Sequence, residues 1–238
     1  MSRHPAAVRA VLFDLDDTLL ENNGDLFFEA YLDALARHLE GWIPRARLVD
    51  AAMVAGAAMM AEEHPEHTNE AVLLEALPAA LGVDPVRFAA EFRRFERSDF
   101  RGLGPPWRAH PWVPDLVRTV VQRDIAVVVA TSPIYPLPVI EERMRRAGVL
   151  DLPWSLVTSW DRMHSTKPNP SYFQEIARLL DLPPEACVMV GDDYFQDIVA
   201  RRIGMHTYFV GRPLPGLDTG PGGSLREILG WLEAKASA

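Results

Sequence analysis

Three carboxylates, Asp14, Asp16 and Asp17, stand within four residues at the end of the apolar run A-V-L-F, and Thr18 follows them. Like charges this close repel, and burial makes the repulsion worse. The arrangement calls for a positive partner. Three later stretches offer groups of complementary kinds. The run I-A-V-V-V-A ends in the hydroxyls Thr131 and Ser132, S-T-K-P-N-P supplies Lys167, and A-C-V-M-V-G-D-D carries Asp192 and Asp193, with Asp197 one turn later. Clustered carboxylates without histidine or cysteine suit a hard cation held by oxygen, and Mg²⁺ is the usual choice where phosphates are handled. A lysine and two hydroxyls are donors suited to a tetrahedral oxyanion. A carboxylate of the first strand could then attack phosphorus. The residues describe a metal-assisted phosphate site.

Such a site needs elements that bring distant stretches together. Short apolar runs rich in β-branched residues occur at 8–13, 125–132, 154–159, 186–191 and 206–211. They are nearly continuous rather than alternating, as strands buried on both faces of a parallel sheet are. Helical spacing fills 114–122, 136–147, 170–180 and 194–203, several of these segments beginning near a proline. The alternation predicts a doubly wound α/β sheet, which gathers ligands at the carboxyl ends of its strands. All the groups above fall at such ends or in the loops beside them.

The interval between the first two runs is far longer than a crossover needs. It reads as four helices, 26–40, 45–63, 69–81 and 85–97, with a Pro/Gly-rich return linker at 102–112. The expected organisation is a core of residues 1–22 and 106–238 with an all-α cap, 23–105, inserted after the first strand. A flexible Pro/Gly linker is expected at 211–224 and a last helix at 225–234.

The 238 residues, 48% of them apolar, can build a core without staples, and the single cysteine, Cys187, excludes an internal disulfide. A net charge of −9 argues against nucleic acid or anionic lipid as partners. No apolar run reaches the length of a membrane span and no secretory leader is evident, so a cytoplasmic protein is expected. The oligomeric state is left open.

The motif D-L-D-D-T, followed in order by Thr131, by Lys167 in T-K-P-N-P and by the acidic G-D-D-Y-F-Q-D, resembles the haloacid dehalogenase-like hydrolase superfamily from about residue 8 to 210. The resemblance implies a Rossmann-like core with a C1-type cap and a phosphatase. Asp14 would be the nucleophile and Asp16 the general acid and base. Mg²⁺ would sit on Asp14, the carbonyl of Asp16 and Asp192. Thr131, Ser132 and Lys167 would bind phosphate, and Asp193 and Asp197 would support. Ser132-Pro133 departs from the Asn-Gly of many relatives and puts phosphate contacts from that loop in doubt. Asp17 is expected to cap the turn after the strand. On the cap, Phe27, Phe28 and Tyr31 read as core rather than substrate box, although Phe27 and Phe28 lie where a cap could face the active site, and His64 and His67, three apart and lacking further ligands, read as a solvated loop. A small phosphorylated metabolite is the expected substrate, its identity unreadable because the cap sets it. A phosphomutase and a non-catalytic phosphate-binding protein are the alternatives, while the acid at Asp16 and the complete metal motif weigh against a 2-haloacid dehalogenase.

Overall fold

The computed structural model describes residues 7–21, 24–61, 64–98, 100–104, 107–212 and 215–236. Strand β1 (Ala10–Phe13) is central, and all four of its residues are fully buried. Strands β4 (Ala126–Val129) and β6 (Cys187–Gly191) flank it in parallel, with β5 (Leu156–Val157) and β7 (His206–Phe209) outside them, in the order β5-β4-β1-β6-β7. The pleat sends Val11 and Phe13 into one apolar cluster and Ala10 and Leu12 into another on the opposite face. Helices α5 (Val113–Val121), α6 (Leu137–Arg146) and α8 (Ile228–Ala236) cover the first face, and α7 (Pro170–Leu179) covers the second. The five expected strands and the doubly wound parallel sheet are therefore present. Helices α5, α6 and α7 each carry proline in their first turn, where its missing N–H costs no bond.

Four helices fill the insert: α1 (Gly24–His38), α2 (Arg45–Ala61), α3 (Asn69–Leu81) and α4 (Pro85–Glu96). Thr68 caps α3 by accepting from the Ala71 N–H, and Gly82, at φ +64°, ends it. Residues 62 and 63, the expected end of the second helix, lie outside the described residues. Fully buried Asn69 ties the insert to the core. Its Nδ2 donates to the carbonyls of Pro133 (3.2 Å) and Ser165 (3.1 Å), and its backbone N–H donates to Met163 (2.8 Å).

Three expectations need revision. The return linker contains β3 (Arg108–Ala109), antiparallel to β2 (Leu20–Glu21) just after the carboxylate turn; two residues carry no readable period. The helix expected at 194–203 is a 3₁₀ helix over Ile198–Ile203 only, because the Asp193 side chain accepts from the N–H groups of Phe195 and Gln196 and turns the chain first. The 211–224 linker returns to the sheet edge, where the Phe209 N–H donates to the Pro221 carbonyl (2.9 Å) and the Gly223 N–H to that of Phe209 (3.0 Å). Beyond it a 3₁₀ turn (Leu225–Glu227) with a Ser224/Glu227 capping box precedes α8.

Candidate active site

Register decides which side chains meet. Phe13 pairs with Val129 on one side and Val190 on the other, so the residues following all three strands emerge together. There Asp14 reaches Lys167, whose Nζ donates to Asp14 Oδ1 at 2.8 Å and to Asp197 Oδ1 at 2.6 Å. Lys167 is 2% exposed. The carboxylate of Asp197 fits under β6 because residue 191 is glycine; a Cβ there would lie 2.0 Å from Asp197 Oδ2. That second oxygen accepts from the Asp193 N–H at 3.1 Å.

The hydroxyl loop is fixed from below. The Thr131 carbonyl accepts from Thr158 Oγ1 (2.7 Å) and from the buried Tyr172 hydroxyl (3.0 Å), and Ser132 Oγ donates to Gln196 Oε1 at 3.1 Å. Pro133 gives up an N–H, and its backbone carbonyl receives the Asn69 clasp, which puts a cap anchor beside the site. In the turn after β1, Asp17 adopts a left-handed φ of +52°, which Asp tolerates, and its N–H donates to the Leu20 carbonyl at 2.7 Å. Thr18 Oγ1 lies 3.4 Å from Asp192 Oδ1.

Sequence reasoning missed Arg143, and a signal for it existed. On α6 the buried positions are Val139, Ile140, Arg143 and Met144, so an arginine occupies the apolar stripe. Its guanidinium, 1% exposed, pairs with the Asp16 carboxylate and lies 5.2 Å and 5.3 Å from the ring centres of Phe27 and Tyr135. Its Nε and Nη1 have no hydrogen-bond partner among the described residues.

Carboxylates outnumber cations here. Burial first, then Asp14, Asp197 and Asp17, push the Asp192 carboxyl up to about 7. Burial also raises Asp197, against the opposing pull of Lys167. For Lys167 burial favours the neutral amine, but Asp14 and Asp197 outweigh it and hold the ammonium charged. Burial lowers Arg143 to about 10, far above neutral pH. Oxygens of Asp14, Asp192 and Asp197 lie within 4.8 Å of one another, the metal-competent group among the described residues. An all-oxygen set in which Asp14 raises the proton affinity of both Asp192 and Asp197 fits a hard divalent cation. Both Asp197 oxygens already accept from Lys167 and the Asp193 N–H, which leaves Asp14 and Asp192 as the carboxylates best suited to ligation.

All eight residues expected from the sequence (Asp14, Asp16, Thr131, Ser132, Lys167, Asp192, Asp193 and Asp197) line one cavity of about 650 Å³ between the strand ends and the inserted helices. Phe28 and Tyr31 line it too, although they read as core in the sequence; Phe27 is core, packed edge-on to Trp107 and Tyr135. His67 is exposed, and neither it nor His64 belongs to a metal-competent group among the described residues.

A buried parallel sheet with carboxylates at its strand ends, roofed by an inserted helical cap, is the architecture of a capped hydrolase. Residues 8–203 match the family model for haloacid dehalogenase-like hydrolases, and the chain belongs to that family. It is 29% identical over 211 residues to a glyceraldehyde 3-phosphate phosphatase of Methanopyrus kandleri, covering 86% of this chain and 84% of the relative. It is 22% identical to the pyrophosphatase PpaX of Halalkalibacterium halodurans over 89% of this chain and 87% of the relative. A solved phosphatase of the family from Thermococcus onnurineus superposes with a TM-score of 0.55 at 19% identity, over 94% and 98% of the two chains. The protein is thus a hydrolase whose curated relatives are phosphatases. Among the described residues no helix is long and apolar enough to cross a membrane.

Proposed function

We propose that the chain is a Mg²⁺-dependent phosphomonoester hydrolase that turns over a small phosphorylated metabolite in the cytoplasm. The observation that carries this reading is the Asp14–Lys167–Asp197 array at the floor of the cavity, beside the Arg143-bound Asp16. Asp14 attacks phosphorus and the ester P–O bond breaks, giving an aspartyl phosphate. Asp16 gives its proton to the departing alkoxide, then takes one from the water that attacks the phosphoenzyme, restoring Asp14 and releasing inorganic phosphate. Arg143 orients the Asp16 carboxylate. Lys167 offsets charge on the nucleophile and on the phosphoryl oxygens, with Thr131 and Ser132 as further donors. Asp197 holds Lys167, and Asp193 shapes the turn that delivers Asp197. Asp14, Asp192 and the Asp16 carbonyl would hold the Mg²⁺, which when bound shields the nucleophile from the charge of its substrate.

The test is phosphate release from p-nitrophenyl phosphate and a metabolite panel, with Mg²⁺ and with chelator, beside Asp14→Asn. Release that needs Mg²⁺ and disappears in the variant is expected. Binding of phosphorylated ligands without release from any of them would instead make the protein a phosphate-ligand receptor.

A further inference from the structure

Resting on the phosphatase reading, we infer that the substrate is the phosphate monoester of an apolar alcohol, its hydrocarbon part seated against the cap. The cavity is divided by chemistry. All its charged residues belong to the floor, at the strand ends and on α6. Among the residues whose side chains the structure describes, helices α1 to α4 contribute no charged side chain to its wall and a single polar residue, Tyr31; the rest is of the kind of Phe28, Leu35, Met53, Gly56 and Met60. A sugar or glycerol leaving group would carry several hydroxyls into this half, where they find no partners, and unpaired buried hydroxyls oppose binding. Tyr31 lines the cavity, but its Oη is buried and has no hydrogen-bond partner among the described residues, so it adds no exposed polar atom to this wall.

Helix α2 gives independent support. From Ala51 to Met60 it has no polar side chain, so it is apolar on every face, unlike an ordinary surface helix. Met53 (57% exposed) and Met60 (40% exposed) both line the cavity, so the apolar wall continues to its mouth. Flexible thioethers adapt to varied apolar ligands, and an exposed apolar patch beside a pocket is a mark of use. Gly56 leaves open space in this wall, since a Cβ there would meet nothing within 4 Å.

The test compares kcat/KM for 1-naphthyl and n-octyl phosphate with that for glucose 6-phosphate and glycerol 3-phosphate, in the intact protein and in Gly56→Phe, which fills the wall. Preference for the apolar esters by at least about tenfold is expected, with Gly56→Phe lowering 1-naphthyl phosphate turnover about tenfold more than that of methyl phosphate. Release from all esters with equal or greater preference for the polar ones would overturn the inference and leave the phosphatase reading standing. Release from none would remove the phosphatase reading. The inference would then be judged by calorimetry with n-octylphosphonate, and failure to bind it more tightly than methylphosphonate would overturn it. Self-association abolished by Met53→Lys, without apolar preference, would assign the wall to an interface and overturn it as well.

Discussion

Replacing Lys167 with methionine tests the electrostatic frame of the site without assuming what the site does. The change preserves chain length and deletes the ammonium lying 2.8 Å from Asp14 and 2.6 Å from Asp197. At an effective dielectric constant of about 20, each contact is worth roughly 6 kcal/mol of attraction, before the cost of burying the ions is subtracted. Lys167 and Asp197 are almost wholly buried, so that cost is large. Removing one partner of such an array costs about 3–5 kcal/mol, because the remaining charges are left buried and uncompensated. For a chain of this size that is a fall in Tm of about 6–20 °C. The pH dependence follows from the signs. The folded pKa of Lys167 lies above its free value, so the stability it contributes is fully present below about pH 10 and is unchanged between pH 5 and 8. In the variant, Asp197 loses the cation that lowers its pKa, so its folded pKa rises further and the proton-bound form favours the folded state. The deficit should therefore narrow by at least about 1 kcal/mol between pH 8 and pH 5. Urea unfolding at both pH values, with m-values compared, reads this directly. A variant within 1 kcal/mol of the parent at pH 8, or a deficit independent of pH, would refute the reasoning.

Arg143→Met should lower kcat about 10–100-fold with little change in KM, since Asp16 loses the partner that orients it; a change in KM alone would contradict the assignment. Asn69→Leu removes the two donors clasping Pro133 and Ser165 and should cost about 1–3 kcal/mol in urea unfolding; no loss would mean those carbonyls are satisfied otherwise. Burial first, then Glu70, raise the Glu96 carboxyl to about 7, above its unfolded value. The folded state thus binds the extra proton, and stability falls as pH climbs from about 4.5 to 7. Glu96→Gln should accordingly raise Tm at pH 8 and leave it unchanged at pH 4.5, which differential scanning calorimetry at the two pH values checks.

What was legible in the sequence followed from burial and register. A strand buried on both faces must be apolar without interruption, so β1, β4 and β6 stand out, and the first polar residues after them face the same crevice because parallel strands align their ends. That is why Asp14, Thr131 and Asp192 could be grouped across 178 positions of chain, the separation of Asp14 from Asp192. The small β2–β3 ladder was not legible, since its two residues per strand are specified by tertiary pairing and not by period. The segment at 194–203 misled for a different reason. Its residue types permit a helix, but Asp193 spends its carboxylate on local N–H groups, a competition that propensity ignores.

Arg143 and Tyr31 show where the boundary between core and site lies. Each occupies an apolar stripe and is buried, so periodicity files both with the core. Yet a buried guanidinium needs a carboxylate to justify its desolvation, and the carboxylate that reaches it is Asp16, on another element at the cavity floor. A polar residue on the apolar face of a helix can be read as a pointer to a partner elsewhere in the chain. For Arg143 that partner is found in the D-L-D-D-T turn, so the two motifs constrain each other. For Tyr31 the described residues provide none, although the residue itself lines the cavity against which the alcohol of the substrate would sit.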